Sequence, residues 1–279
     1  MTPKTFVLHV DHQNADGPQT KYALALAKMC DAHIHAIVLA PEYTVPSMVM
    51  AEIPVSVIET QRANAAAEAQ KMADAFNAKA EAAGIDVTTE ILSDTVDGLA
   101  MGFSEIARTG DLVILGQFNP DRESALATAL IESVLFDSGR PLLVVPYIGG
   151  HDGIPKRPLI AWDASAPSAR AANDSFALLD EAESVEVVTV DLGKDLTRIE
   201  KSGASLVRVM NRRGIKARYH VIPSGGLSAA NALLSHASDV GADLVVMGGY
   251  SHSRMREIIL GGATREILAT MTVPVMMAH

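Results

Sequence analysis

The two halves of the chain carry the same series of hydrophobic segments in the same order, and this repeat restricts the fold more than any other feature. The matched pairs are TFVLHVD (5–11) with PLIAWDA (158–164), AAGIDVTTEIL (82–92) with RRGIKARYHVI (212–222), GDLVILGQF (110–118) with ADLVVMGGY (242–250), and RPLLVVPY (140–147) with VPVMMAH (273–279). The third pair shares D-L-V, two hydrophobic residues and Gly. A repeat of this length indicates two copies of one domain.

The boundary between the two copies is predicted from composition. Residues 149–157, GGHDGIPKR, are rich in Gly and Pro and show no apolar periodicity, which is typical of a linker. We therefore predict an N-terminal domain over 1–148 and a C-terminal domain over 158–279.

Within each copy, short apolar runs alternate with amphipathic helical stretches. This alternation predicts parallel strands covered by helices on both faces, and the strands are continuously hydrophobic, as such burial requires. We predict the α/β class, with two repeated doubly wound domains. Each would have a five-stranded parallel sheet in the order 3-2-1-4-5, and ligands would bind beyond the carboxyl ends of its strands.

The chain's charge and thiol content limit its partners and its compartment. A net charge of −10 argues against nucleic acid and anionic membranes as general partners. The single cysteine, Cys30, cannot form an internal disulfide, so we expect a reducing, cytoplasmic location and a small core residue. No apolar run approaches the ~20 residues that span a bilayer.

Two glycine pairs flank a basic stretch in MGGYSHSRMREIILGGATREIL (247–268). Gly248–Gly249 follow the predicted fourth strand, and Gly261–Gly262 interrupt a helical run before ATREILATM. A helix that starts after such a break presents unpaired N–H groups and a positive dipole end to an anion. Arg254, Arg256 and His252 lie between the pairs, so the stretch is interpreted as a phosphate-binding loop. The alternative is a plain strand-to-helix connection with solvated arginines.

The spacing of this loop resembles the universal stress protein family. Its nucleotide-binding members have Gly, two residues, Gly, nine residues, then Gly and Ser or Thr. Here Gly248 takes the first position, Ser251 stands in place of the second Gly, Gly261 takes the third position and Gly262 stands in place of the hydroxyl residue. The family's adenine-bordering Asp matches Asp163, and its hydrophobic end of strand two matches Val190. The resemblance extends over both halves and indicates a tandem member.

The resemblance implies a site for ATP, ADP or AMP in the C-terminal copy, with Mg²⁺ accompanying a triphosphate. The implied site residues are Ala161, Trp162, Asp163, Val190, Met247, Gly248, Gly249, Ser251, His252, Arg254, Gly261, Gly262, Ala263 and Thr264. Ser251 adds a side chain where family members bring backbone to phosphate, and Gly262 removes a hydroxyl that Thr264 could supply from elsewhere in the helix.

The N-terminal copy keeps Asp11 and Gly116 but has no glycine between 116 and 139. Thr128–Ala129 occupy the approximate place of the second glycine pair, so we expect the helix to continue through them. We predict that this copy does not bind nucleotide in the family's manner.

Two functions remain open from the sequence. One is a stress-response regulator that binds an adenine nucleotide, with at most slow hydrolysis, because no carboxylate in the loop is placed to activate water. The other is a ligand-free scaffold that acts through protein contacts, since the fifth strands, PLLVVPY and VPVMMA, could pair within the chain or between two chains. An enzyme resembling the ATP pyrophosphatases is disfavoured, because PSGGLSAAN (223–231) lacks their Asp.

Local patterns also suggest helix starts and histidine roles. Ser165 with Pro167 predicts one helix start, Ser224 predicts another, and Ser56 with Glu59 predicts a capping box. His9, His33 and His35 lie on two successive predicted strands without a nearby Cys or carboxylate at ligand spacing, so no metal site is expected.

Overall fold

The structure is a computed structural model that describes residues 2–10, 17–42, 54–117, 125–149, 153–193, 195–249 and 262–279. The N-terminal half contains β1 (Thr5–Val10), α1 (Pro18–Cys30), β2 (His33–Pro41), α2 (Val55–Ala83), β3 (Val87–Asp94), α3 (Val96–Ala107), β4 (Leu112–Gly116), α4 (Ala125–Ser133) with a π-helical turn (Val134–Ser138), and β5 (Leu142–Val145). The C-terminal half contains β6 (Pro158–Ala161), α5 (Ala166–Ser175) with a 3₁₀ turn (Phe176–Leu178), β7 (Val185–Asp191), α6 (Leu196–Arg212), β8 (Ala217–Pro223), α7 (Ala229–Asp239), β9 (Leu244–Gly248), α8 (Gly262–Thr270) and β10 (Val275–Ala278).

All ten strands belong to one sheet, in the order β3-β2-β1-β4-β5-β10-β9-β6-β7-β8. Each half therefore has the predicted order 3-2-1-4-5, and its strands are parallel. The halves meet where β5 and β10 pair antiparallel, with Val275 opposite Val144 and Met277 opposite Leu142. This pairing is the intramolecular alternative of the sequence analysis, and it removes two hydrophobic sheet edges at once.

The hydrophobic core continues across this junction on both faces of the sheet. On one face, Leu143 of β5 belongs to the same cluster of buried side chains as Met276 of β10. On the other face, Val144 clusters with Val275. Separation of the halves would therefore expose both cores. No helix among the described residues is long and apolar enough to cross a membrane.

The helix starts follow the sequence prediction in one case of three. Ser165 caps α5, its hydroxyl accepting from the Ser168 N–H at 3.2 Å. The prediction for Ser224 is wrong, because Ser228 caps α7 instead and Ser224 lies in the turn before it. The capping box at Ser56 is also wrong, because Pro54 precedes α2 and no side chain caps this helix.

The histidines and the cysteine of the N-terminal half have structural partners. His33 Nδ1 lies 2.9 Å from Asp86 and His35 Nε2 lies 3.2 Å from Glu90. His9 is buried, with its ring edge-on to Phe103 at a centroid distance of 6.2 Å. Cys30 is buried, and burial raises the pKa of its thiol. The described His, Cys, Asp and Glu side chains form no cluster able to hold a metal ion.

Candidate functional site

Three of the predicted site residues lie at the carboxyl ends of neighbouring strands in the C-terminal half. Ala161 ends β6, Val190 lies near the end of β7 and Met247 near the end of β9, and all three pack on the same face of the sheet. Trp162 follows Ala161, but its side chain belongs to the cluster of buried side chains on the opposite face of the sheet. Trp162 could therefore contact a ligand beside Val190 only through its main-chain atoms.

Asp163 follows the end of β6 and is exposed at the start of the connection to α5. Its Oδ1 accepts a hydrogen bond from the Ser165 N–H at 2.9 Å. Ala164 between them has φ 60°, a left-handed conformation that turns the chain sharply into the helix. The turn and the Ser165 cap together fix the carboxylate beside the N-terminus of α5.

A buried hydrogen-bond chain fixes the end of β6 and has no obvious signal in the sequence. The Trp162 N–H donates to Val188 O at 2.8 Å, and Trp162 O accepts from the Thr189 hydroxyl at 2.7 Å. Tyr219 donates its hydroxyl proton to Thr189 Oγ1 at 2.8 Å. Three strands thus hold the main chain at Trp162. The indole Nε1 is buried and has no hydrogen-bond partner among the described residues.

Gly248 has a packing role that the sequence analysis did not anticipate. A Cβ at this position would lie 2.6 Å from the Ser168 backbone N and 2.9 Å from the Pro167 carbonyl carbon. Only glycine therefore allows the end of β9 to contact the first turn of α5. A glycine at this position can be explained by contact with a ligand or by contact with α5. The structure shows the contact with α5.

Gly249 connects the edge of the site to the junction of the halves. Its N–H donates to Ala278 O at 2.8 Å, and His279 Nδ1 lies 3.0 Å from its carbonyl oxygen. A Cβ on Gly249 would lie 3.5 Å from Leu135 of the N-terminal half. The strand-end glycines are thus surrounded by protein on the side of α5 and of β10.

The glycine-rich loop itself is only partly within the described residues. Gly262 and Ala263 are exposed in the first turn of α8, whereas Thr264 is buried with 3% of its surface accessible. The remaining predicted loop residues, Ser251, His252, Arg254 and Gly261, lie outside the described residues.

The corresponding edge of the N-terminal half is arranged differently. The Gln19 side chain lies against Gly116, with Cδ 3.0 Å from where a Cβ on the glycine would be. Gln19 is 5% exposed and its Nε2 has no partner among the described residues. The helix after β4 continues through Thr128–Ala129 to the π-helical turn at Ser138, as expected. Gln19 therefore covers the strand-end glycine of this half.

Comparison with known proteins identifies one related sequence. No family model matches the chain. Universal stress protein Slr1230 from Synechocystis sp. (strain ATCC 27184 / PCC 6803 / Kazusa) is 27% identical over 172 residues. The alignment spans 60% of this chain and 57% of that protein's length.

Solved structures share the fold over almost the whole chain. A universal stress protein from Archaeoglobus fulgidus DSM 4304 superposes with a TM-score of 0.75 at 17% identity, covering 99% of this chain and 96% of that one. A functionally unknown protein, PA1789, from Pseudomonas aeruginosa PAO1 superposes with a TM-score of 0.59 at 14% identity, covering 98% of this chain and 92% of that one.

Proposed function

Because the chain is 27% identical over 172 residues to a universal stress protein and has the fold of another over almost its whole length, we propose that it is a tandem member of this family and that its C-terminal half binds an adenine nucleotide. Membership of this family supports a role in the stress response. In this proposal the protein acts by binding and conformational response rather than by catalysis, with at most slow hydrolysis of the ligand.

The observation that carries the proposal is the difference between the two strand-end glycines. The Gln19 side chain covers Gly116 in the N-terminal half, whereas the first turn of α5 lies against Gly248 in the C-terminal half and Asp163 is exposed just before that helix. An exposed carboxylate beside an apolar strand end suits a ligand with one flat apolar part and one hydrogen-bond donor. Adenine with its exocyclic amino group, or with the ribose hydroxyls attached, has this combination.

Each part of the site would have a separate task. Ala161 and Val190 would contact the base on the apolar face. Asp163 would accept a hydrogen bond from the amino group or a ribose hydroxyl, since its position is fixed by Ser165. The phosphates would contact the Gly261–Gly262 backbone with Arg254 and His252, and Mg²⁺ would accompany a triphosphate.

Isothermal titration calorimetry with ATP, ADP and AMP tests the proposal. We expect one nucleotide per chain and about tenfold weaker binding for Asp163→Asn, which keeps an oxygen for the Ser165 N–H but loses the charge. Asp11→Asn, the equivalent change in the N-terminal half, is the matched control and should leave the affinity unchanged.

Three outcomes would refute the proposal. These are an absence of heat at millimolar nucleotide, two sites per chain, or equal effects of Asp163→Asn and Asp11→Asn. The scaffold alternative predicts the first outcome and also no adenine compound in the denatured, purified protein. The β5 and β10 edges that this alternative offered to a second chain are paired with each other here.

A further inference from the structure

A groove lies between α5 of the C-terminal half and the edge of the N-terminal half where β1, β4 and β5 begin. Its volume is about 280 Å³, and its polar lining includes Arg140, Arg170, Arg213, Asp111 and Asp174. Arg140 belongs to the N-terminal half, whereas Arg170 and Arg213 belong to the C-terminal half. We name this feature the arginine groove.

Because the two halves are repeats, the surface at the groove can be compared with the equivalent surface of the other half. Asp111 at its edge accepts from the backbone N–H groups of Lys4 and Thr5 at 2.8 and 3.0 Å. Asp243 has the same role in the other half, accepting from Lys156 at 2.7 Å and Arg157 at 3.0 Å. The surfaces beside these two aspartates are therefore equivalent by the repeat.

One of the two equivalent surfaces is covered by the chain itself. Gly153 is buried against α1, so closely that a Cβ would lie 2.5 Å from Ala25 Cβ and 2.9 Å from Tyr22 O. On α5, no described segment takes the place of Gly153, and the arginine groove is open there. In the part of the chain that the structure describes, this surface is therefore open, whereas its counterpart on α1 is filled by Gly153.

The three guanidinium groups in the groove are held in place by contacts that leave donors unused. Arg140 donates through Nε and Nη2 to Arg108 O at 3.0 and 2.7 Å. Arg170 donates through Nη2 to Gly139 O at 2.6 Å, which joins the halves. Arg213 stacks its guanidinium over the Phe176 ring at 4.7 Å and has no ion pair among the described residues. Each guanidinium carries five N–H donors, so hydrogen-bonding capacity remains.

The two carboxylates of the groove neutralise only part of this charge. Asp111 is occupied by backbone N–H groups, and Asp174 Oδ2 lies 3.5 Å from Arg170 Nε. Burial raises the pKa of Asp174, although the neighbouring Arg170 acts in the opposite direction. Three guanidinium groups and two carboxylates leave the groove with an excess of positive charge, on a chain of net charge −10.

We propose that the arginine groove binds a small phosphate anion of the size of pyrophosphate. Guanidinium groups match phosphate oxygens in geometry, and charge-assisted hydrogen bonds between them are among the stronger ones. An anion held by Arg140 on one side and by Arg170 and Arg213 on the other bridges the two halves of the chain. This site is separate from the proposed nucleotide site and does not depend on it.

Calorimetric titration of the full chain with inorganic pyrophosphate tests the proposal, with sodium chloride of matched ionic strength in the reference. We expect one saturable site that weakens about tenfold in Arg213→Gln and in Arg140→Gln. Arg212→Gln, an exposed neighbour of Arg213 outside the groove, should bind like the unchanged protein. Arg254→Gln should also retain binding, which distinguishes the groove from the glycine-rich loop.

The proposal is overturned by an absence of saturable heat at millimolar pyrophosphate. It is equally overturned if Arg213→Gln binds as tightly as Arg212→Gln, or if Arg254→Gln alone abolishes binding. The Arg213 side chain makes no hydrogen bond or ion pair within the described residues, so its replacement should leave the fold intact. Unchanged far-ultraviolet circular dichroism of the variant checks this.

Discussion

At the scale of single residues, one amino acid can satisfy two constraints that the sequence does not separate. Gly248 fits the family's loop spacing, yet the structure requires glycine there because β9 touches α5. Asp163 likewise has a local task, accepting the Ser165 N–H, in addition to the proposed contact with a ligand. The sequence predicted both as residues of a ligand site, and the structure gives each a structural task that holds without any ligand.

The contact at Gly248 predicts the outcome of a methyl addition. We expect Gly248→Ala to lower the free energy of unfolding by about 1–3 kcal/mol, because backbone atoms of Pro167 and Ser168 must shift. Gly262→Ala is the control, since a Cβ there meets no described atom within 4 Å and alanine favours the helix by about 1 kcal/mol. Urea unfolding measures both changes, and equal effects of the two substitutions would contradict the contact.

At the scale of elements, helix boundaries depend on which backbone groups the surrounding chain leaves unpaired. Ser165 was predictable because Pro167 and the strand before it restrict the start of α5 from both sides. Ser224 and Ser228 both precede apolar helical sequence, and a turn containing Gly225 and Gly226 at positive φ shifts the start to the later serine. The local pattern had indicated Ser224, and the turn moves the start to Ser228.

The longest helix, α2, extends beyond the body that it packs on. Its buried residues begin at Ala69 and continue through Ala73, Phe76 and Ala80, whereas the first turns are largely exposed. Hydrogen–deuterium exchange should therefore be at least about tenfold faster for amides 60–67 than for amides 70–83, because exposed helical turns open locally. Uniform protection along α2 would mean that another surface covers its first turns in solution.

At the scale of the whole molecule, the pairing of β5 with β10 makes one sheet from two repeats. Gln117 adds a buried contact between the halves, donating through Nε2 to Leu268 O at 2.8 Å. The cores on both faces cross the junction, so neither half has a complete core alone. The halves are consequently expected to unfold together.

Cooperative unfolding and the Gln117 contact can be measured in one experiment. Trp162 is the only tryptophan, so fluorescence reports the C-terminal half and circular dichroism reports the whole chain. We expect both signals to change at one denaturant concentration. Two separate transitions would show that the halves are independent.

The same unfolding experiment tests the Gln117 contact. Gln117→Leu should lower the free energy of unfolding by about 1–3 kcal/mol, because Leu268 O loses its donor. The control, Gln70→Leu at an exposed position, should change it by less than about 0.5 kcal/mol.

The sequence by itself determined the fold class and the repeat, and the structure confirmed the strand order predicted for each half. Continuous apolar runs alternating with amphipathic stretches are compatible with few arrangements other than a parallel sheet covered on both faces. The strands expected within residues 5–11 and 158–164 are found at Thr5–Val10 and Pro158–Ala161. The positions of Asp163 and Gly248 at one sheet edge follow from this pattern, because parallel strands end together.

Only the tertiary structure decided which surfaces meet. The antiparallel pairing of β5 with β10, the cover of Gln19 over Gly116 and the approach of Arg140 to Arg170 and Arg213 each join residues distant in the chain. Local sequence patterns extend over a few helical turns or one strand, so they carry no information about contacts between residues that are distant in the chain. The arginine groove exists because the two halves pack together, and neither half alone would form it.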